Sequence, residues 1–203
     1  MPLFKQAVFF RSVYDFGELP PDDSAEVAFA GRSNAGKSSA INALVNHKRL
    51  AFTSKTPGRT QTINFFSLGS QRYLVDLPGY GYAAVPIKEK RHWGELISTY
   101  LQTRISLCGL ILIMDVRHPF TELDRQLLGW LAPLHKPAHI LLTKADKLGK
   151  QEATATLRAA QSEANRYPLC SVQLFSSTTG MGVGVAQKIL AQWFKSTETK
   201  TPG

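Results

Sequence analysis

Between Val27 and Val75 the chain has no aspartate and no glutamate, yet Arg32, Lys37, Lys48, Arg49, Lys55, Arg59 and Arg72 all fall inside that window. The whole chain of 203 residues carries 15 acidic side chains against 24 lysines and arginines, a formal net charge of +9. Such a deficit of acid points to a polyanionic partner, nucleic acid above all, or to an anionic membrane surface, with a merely basic soluble surface as the alternative. Cysteine is scarce too. Cys108 and Cys170 are far apart and form no CxxC pair, which excludes a paired-cysteine metal or redox site and leaves buried thiols as the expectation. Long apolar runs are missing. The longest, Leu107 to Met114 with Gly109 inside it, is far short of the ~20 residues that a membrane span needs. Met1 to Lys5 opens no long apolar stretch, so no signal peptide, no membrane contact and a cytoplasmic location are expected. There is no internal repeat and no low-complexity segment.

What is present reads as one α/β domain. Hydrophobic residues make up 43% of the chain, enough for an ordinary core. Short apolar runs alternate with helical patterns, which predicts a mainly parallel sheet wrapped by helices. Strands are expected at Ala7–Val13, Glu26–Ala30, Leu110–Asp115, Ala138–Thr143 and Ser171–Phe175, with a hairpin formed by Gln61–Leu68 and Arg72–Asp76. Helices are expected at Lys37–Val45, from Pro86 onward, at Thr121–Leu131 with Thr121 as N-cap, at Gln151–Tyr167 and at Val185–Phe194. In the helix after Pro86, the stripe Trp93, Leu96, Ile97, Tyr100, Leu101 and Ile105 has core spacing. Residues 1–22 read as an N-terminal extension with an added strand, 23–195 as the main domain and 196–203 as a disordered tail without apolar side chains.

The sharpest motif is Gly31-Arg32-Ser33-Asn34-Ala35-Gly36-Lys37-Ser38. It fits G-x-x-x-x-G-K-[ST] in full, with a strand before it and a helix after it. Glycines let backbone N–H groups turn in on phosphate oxygens, and the helix N-terminus adds partial positive charge. Lys37 is expected on the β- and γ-phosphates and the Ser38 hydroxyl on Mg²⁺. A chance match in a strand-to-helix turn is the alternative.

Four more segments add a choice of base and a switch. Asp76-Leu77-Pro78-Gly79 is a strand-end acid followed by D-x-x-G; the carboxylate suits the Mg²⁺ shell and the Gly79 N–H can sense a γ-phosphate. Thr143-Lys144-Ala145-Asp146 ends a buried strand. An Asp146 carboxylate can accept from the guanine N1–H and N2–H₂, a pair of donors that adenine lacks. Lys144 can lay its stem along the base, the alternative being a solvated charge pair. Thr143 makes fewer bonds than the asparagine usual there, so moderate guanine affinity is expected. Phe175-Ser176-Ser177 fits a weak motif whose backbone N–H groups contact the guanine O6. Between these lies Gly58-Arg59-Thr60-Gln61-Thr62, where Thr60 is the expected Mg²⁺ ligand that engages only with the γ-phosphate present; Thr56 and Thr62 are alternatives, as is a plain turn at Pro57-Gly58.

These segments together resemble the EngB family (also called YihA or YsxC). The resemblance rests on GRSNAGKSS, TPGRTQ, the NFF of Asn64 to Phe66, DLPGYG at Asp76 to Gly81, TKAD and FSS, and spans roughly Phe9 to Phe194. It implies a Ras-like P-loop GTPase: an α/β fold with a mostly parallel sheet of six to seven strands, one of them antiparallel, and helices on both faces. It also implies a role in assembly of the large ribosomal subunit and in normal division-septum formation. The expected partners are GTP or GDP, ribosomal RNA and large-subunit precursor particles, with the protein a monomer. Phe65-Phe66 has core placement as its alternative.

Two positions qualify the chemistry. Tyr80 stands where Ras-type GTPases carry a water-orienting glutamine, so slow intrinsic hydrolysis is expected. Asn34 lies where similar translation-factor-related GTPases use an asparagine to hold a potassium ion beside the phosphates; a loop-bracing hydrogen bond is the alternative. The basic window, with Lys88 to Trp93, reads as an RNA-backbone surface gated by nucleotide or as solvated faces. The competing functions are a P-loop kinase or ATPase, which Asp146 disfavours, and a GTP-gated protein module for cell division without an RNA role.

Overall fold

Every strand but one points the same way, and that arrangement decides where a site can form. In a computed structural model, residues 2–51, 62–81 and 87–198 are described, with backbone only at 87–93 and 197–198. The strands are β1 (Val8–Val13), β2 (Ala25–Gly31), β3 (Ile63–Ser67), β4 (Arg72–Asp76), β5 (Leu107–Asp115), β6 (Ala138–Thr143) and β7 (Cys170–Leu174). They form one sheet in the order β1-β3-β4-β2-β5-β6-β7. β3 runs antiparallel to both neighbours, β1 and β4, and the other pairings are parallel. The seven strands with one reversed strand agree with the expectation. β3 and β4 form the expected hairpin, and β1 is the added edge strand.

Helices cover both faces: α1 (Pro2–Lys5), α2 (Lys37–Val45), α3 (Ile87–Thr103), α4 (Glu122–Leu131), α5 (Lys150–Ala164) and α6 (Val183–Glu198). Ala28 and Ala30 of β2 join a core with Leu96, Tyr100, Leu127, Leu131 and Ala160, from α3, α4 and α5. Val27 and Phe29 alternate to the other face, against Phe4, Ile41, Leu44, Leu190 and Phe194, from α1, α2 and α6. A strand buried on both faces reads as a continuous apolar run, which is why β2, β5 and β6 are legible. Phe65 and Phe66 are both core. Parallel strands place their C-terminal ends together on one edge, where such sheets hold ligands.

Several expectations need correction. Ile105 lies beyond the end of α3 and is 80% exposed: the apolar period runs past Thr103, but the helix does not. Leu96, Ile97, Tyr100 and Leu101 are buried as expected, and the side chain of Trp93 lies outside the described residues. β5 starts at Leu107, three positions before Leu110, because an apolar run gives no start signal of its own. α6 continues through Glu198, so residues 196–198 belong to its last turn and not to a tail. α5 closes at Ala164, and Arg166 and Tyr167 follow in turn-type hydrogen bonds. Cys108 and Cys170 are half-buried thiols that form no disulfide, where buried thiols are expected.

One buried titratable group ties β6 to β7. Gln173 Nε2 donates to the Leu174 and Gly182 carbonyls, so its Oε1 faces the His139 ring. His139 Nε2 therefore donates to Gln173 at 2.9 Å, and Nδ1 accepts from Ser171 Oγ at 2.7 Å. Burial pushes the His139 pKa below its ordinary 6.5, against a smaller opposing effect of the Gln173 bond. The unfolded chain takes up a proton near pH 6.5 that the folded chain refuses until lower pH. Stability should thus be level above that pH and decline as pH falls through the window below it. Urea unfolding at about pH 7.5 and about pH 5.5 should show this decline, and His139→Asn should reduce it. An equal decline in that variant would assign it to other groups.

Candidate functional site

The phosphate loop leaves β2 at Gly31 and enters α2 at Lys37. A Cβ on Gly31 would lie 2.7 Å from the Ile113 carbonyl oxygen, so the close approach of β2 to β5 demands glycine. Gly36 has φ 99°, a left-handed conformation that side chains disfavour. Asn34 has φ 64°, tolerable for asparagine, and its side chain is exposed. Its amide has no hydrogen-bond partner among the described residues, so the loop-bracing alternative lacks a bond here. Ala35 is buried and its N–H donates to the Arg32 carbonyl at 3.0 Å, which holds the loop closed. Ser33 and Ser38 are half-buried, with Ser38 in the first turn of α2.

Asp76 ends β4, next to β2, and accepts an ion-paired hydrogen bond from Lys37. Hard oxygen donors such as a serine hydroxyl and a carboxylate suit Mg²⁺, which is usually held by one or two protein groups plus substrate phosphates. Among the described residues no group of three His, Cys, Asp or Glu could hold a metal, so Ser38 and Asp76 fit Mg²⁺ only as part of a nucleotide complex. Leu77 and Pro78 are buried, and the Leu77 N–H donates to the Phe29 carbonyl. Gly79 is half-buried and lies against Ser33.

Tyr80 is turned inward. Its N–H donates to the Gly31 carbonyl at 3.3 Å and its carbonyl accepts from the Ser33 N–H at 2.8 Å, so its backbone is stitched to the phosphate loop. Its hydroxyl donates to buried Asp124 at 2.6 Å. Burial and the adjacent Asp124 carboxylate push the hydroxyl's pKa well up, so it stays a donor. Asp124 also accepts from the N–H and hydroxyl of Thr121, at 2.8 and 2.7 Å, at the start of α4. Sequence reasoning missed Asp124; the only signal was an acid three residues after the N-cap.

The segment read as the guanine motif, Thr143 to Asp146, sits at the end of β6. The Thr143 hydroxyl contacts the Ala35 carbonyl and the Met114 carbonyl. Threonine here ties the motif to the phosphate loop, a job that the count of its bonds alone does not reveal. Lys144, at φ 60°, donates to the Asn34 carbonyl at 2.8 Å and to Asp115 at 2.9 Å. It is thus anchored on the loop and on Asp115, with 35% of its side chain still exposed. Asp146 accepts from Ser176 Oγ at 2.7 Å, and that bond, opposed by partial desolvation, holds its pKa below the usual value. Ala145 donates to the Phe175 carbonyl, which brings the motif against the segment after β7.

Phe175 is core, and Ser176 is buried with its N–H given to the Met181 carbonyl. Ser176 acts here through its side chain on Asp146, while Ser177 is exposed. A recess of about 300 Å³ lies between α2 and Ser177, lined also by Ser39, Asn42, Asn46, His47 and Lys48. Thr62 is half-buried, with its hydroxyl on Asn64. Thr56, Gly58, Arg59, Thr60 and Gln61 lie outside the described residues. Among the described residues, no helix is long and apolar enough to cross a membrane.

Comparison with known proteins agrees with this geometry. A family model described as 50S ribosome-binding GTPase matches residues 26–144. A GTP-binding protein EngB of Nitrosomonas europaea is 57% identical over 194 residues, 95% of this chain and 87% of that protein. EngB proteins of Azoarcus sp. strain BH72 and Methylobacillus flagellatus are 60% and 54% identical, covering 95% and 100% of this chain and 93% and 98% of theirs. Among solved structures, a GTP-binding protein engB superposes with TM-score 0.66 at 20% identity, over 85% of this chain and all of that one. Era in complex with MgGDPNP and a piece of 16S ribosomal RNA gives 0.62 at 20% identity, over 83% of this chain and 56% of that one. These two establish likeness of fold. With a phosphate loop and guanine motif tied together at the C-terminal edge of the sheet, and relatives this similar over nearly the whole chain, the chain belongs to the EngB family of GTP-binding proteins.

Proposed function

We propose that the protein is a GTP/GDP switch in assembly of the large ribosomal subunit, acting as a cytoplasmic monomer and linked through assembly to normal cell division. The observation that carries this reading is the placement of the acid-free stretch. It includes the phosphate loop and the segment up to β4, so basic side chains lie close in sequence to the residues that would respond to a γ-phosphate. Lys48 and Arg49 are exposed just after α2. A family described by 50S ribosome binding supports the same direction. Contacts to RNA phosphates release counterions, so binding should weaken steeply with salt. Large-subunit precursor particles sedimented with the protein should carry more of it with a non-hydrolysable GTP analogue than with GDP, and less as salt rises. Equal, salt-insensitive association in both states would overturn the proposal, and no association at all would favour a GTP-gated protein module for division.

In this reading Ser38 and Thr60 would hold Mg²⁺, with Asp76 in its surroundings. The ion would neutralise charge on the β- and γ-phosphate oxygens. Lys37 would leave Asp76 for those phosphates, the Gly79 N–H would report the γ-phosphate, and Asp146 and Lys144 would select guanine. Hydrolysis is slow, because the Tyr80 side chain is committed to Asp124 and is not available to orient water.

Asn34 would hold a potassium ion beside the phosphates, whose positive charge would offset the negative charge that develops in the transition state. Its unengaged amide supports this assignment. The hydrolysis rate should be at least about tenfold higher in K⁺ than in Na⁺ at equal ionic strength, and Asn34→Ala should remove the difference. Equal native rates in the two salts would reduce Asn34 to scaffolding.

A further inference from the structure

Asp115 is the last residue of β5 and belongs to none of the motifs discussed so far. It is paired in register with Thr143 of β6, and the Val116 N–H donates to the Thr143 carbonyl at 3.0 Å. The two strand ends are thus stitched side by side, which brings the Asp115 carboxylate to Lys144. Lys144 Nζ donates to Asp115 Oδ2 at 2.9 Å and to the Asn34 carbonyl at 2.8 Å.

The carboxylate cannot easily turn away. Arg117 donates from Nε to Oδ1 at 2.9 Å, from its terminal nitrogen to Oδ2 at 2.6 Å and from its backbone N–H to Oδ1 at 3.1 Å. This fork, with desolvation opposing it and Lys144 assisting, keeps Asp115 ionised far below the usual carboxylate range. Lysine is costly to order, because its long stem loses rotamer freedom when fixed. A stem already held by its head on two acceptors has lost that freedom before a ligand arrives, so binding need not supply it.

We infer that Asp115 is a positioning residue for guanine-nucleotide binding: it holds the Lys144 ammonium against the phosphate loop, so that the Lys144 stem is preset where the base lies. This rests on the reading of Lys144 as part of the guanine motif. A carboxylate is required because the group held is an ammonium; an amide offers only a neutral acceptor. Because Lys144 serves the base end, loss of Asp115 weakens GDP and GTP equally and leaves discrimination between them unchanged. That separates it from residues that sense the γ-phosphate.

The test is a double-mutant cycle on the full chain, with Kd and dissociation rate measured for fluorescently labelled GDP and for a labelled non-hydrolysable GTP analogue. Asp115→Ala should raise both Kd values by about tenfold, mainly through faster dissociation. Asp115→Asn, which keeps the shape, should show a smaller rise and serves if the alanine variant does not fold. In a Lys144→Ala background, either Asp115 substitution should change little more. If the Asp115 effect persists in full in that background, or falls on one nucleotide alone, the inference is overturned while the reading of Lys144 stands. If Lys144→Ala itself binds both nucleotides as tightly as the native chain, that reading fails and takes the inference with it.

Discussion

Asp146→Asn is expected to lower affinity for guanine nucleotides by about 10⁴-fold and to turn the preference toward xanthine nucleotides. Two acceptor oxygens in one plane match the N1–H and N2–H₂ donors of guanine. An asparagine offers one acceptor and one donor group, so its amide nitrogen would face the guanine amine donor to donor. Xanthine carries a carbonyl at that carbon and restores the match. Sites built on such hydrogen bonds reject mismatched ligands strongly, because the buried groups are left unpaired. The structure favours this outcome over mere loss of binding. Ser176 Oγ donates to Asp146 Oδ1 at 2.7 Å and would still find the amide oxygen of asparagine, so the side chain keeps its orientation. Competition titrations with GDP and XDP read the result directly. Retention of GDP affinity within about threefold would mean that base choice lies elsewhere.

The parts of this site that were legible from sequence are those in which one short stretch of chain does the whole job. The phosphate loop is such a case, since a strand, two glycines and a helix start must occur together within a few residues. β6 is legible to the residue because its run is mostly apolar and ends in a polar motif, although His139 interrupts it. What stayed hidden is pairing at a distance. Tyr80 and Asp124 are 44 positions apart, and nothing local says that an aromatic in the glutamine position is turned inward to an acid in α4. Thr143 reads in sequence as a weakened asparagine, but its hydroxyl lies on the Ala35 carbonyl, 108 positions away. Asp115 could have been noticed, because it ends an apolar strand as Asp76 does and strand ends gather at the ligand edge. Ile105 misled for the opposite reason: helical spacing is a statement about period, and a period does not announce where the helix stops.

The largest effect on stability is expected at the other end of β2, five residues before the phosphate loop. Glu26 is fully buried and takes a fork from Arg104, at 3.1 Å from Nε and 2.5 Å from the terminal nitrogen to Oε1, and 3.0 Å from Nε to Oε2. Tyr100 donates its hydroxyl to Oε2 at 2.5 Å, and Ser24 to Oε1 at 3.2 Å. Asp22 closes the group, receiving the N–H groups of Ile105 and Ser106 at 2.9 and 2.6 Å, so the turn after α3 is fastened to the chain leading into β2. Removing one charge from such a cluster strands the other, which costs about 3–5 kcal/mol of a total that is typically about 5–15 kcal/mol. Glu26→Met should lose that much in urea unfolding, since the Tyr100 hydroxyl would be buried without its acceptor and the Arg104 guanidinium would keep only the Pro21 carbonyl at 3.3 Å and the more distant Asp22 carboxylate at 3.5 Å. Arg104→Met should lose a similar amount. The double variant should lose clearly less than the two losses added together, because no buried charge is then left unpaired. Nucleotide affinity of the folded fraction should be unchanged throughout, because the cluster lies at the N-terminal edge of the sheet and the nucleotide residues at the C-terminal edge. Additive losses, or single losses below about 1 kcal/mol, would show that the pair does not act as one unit.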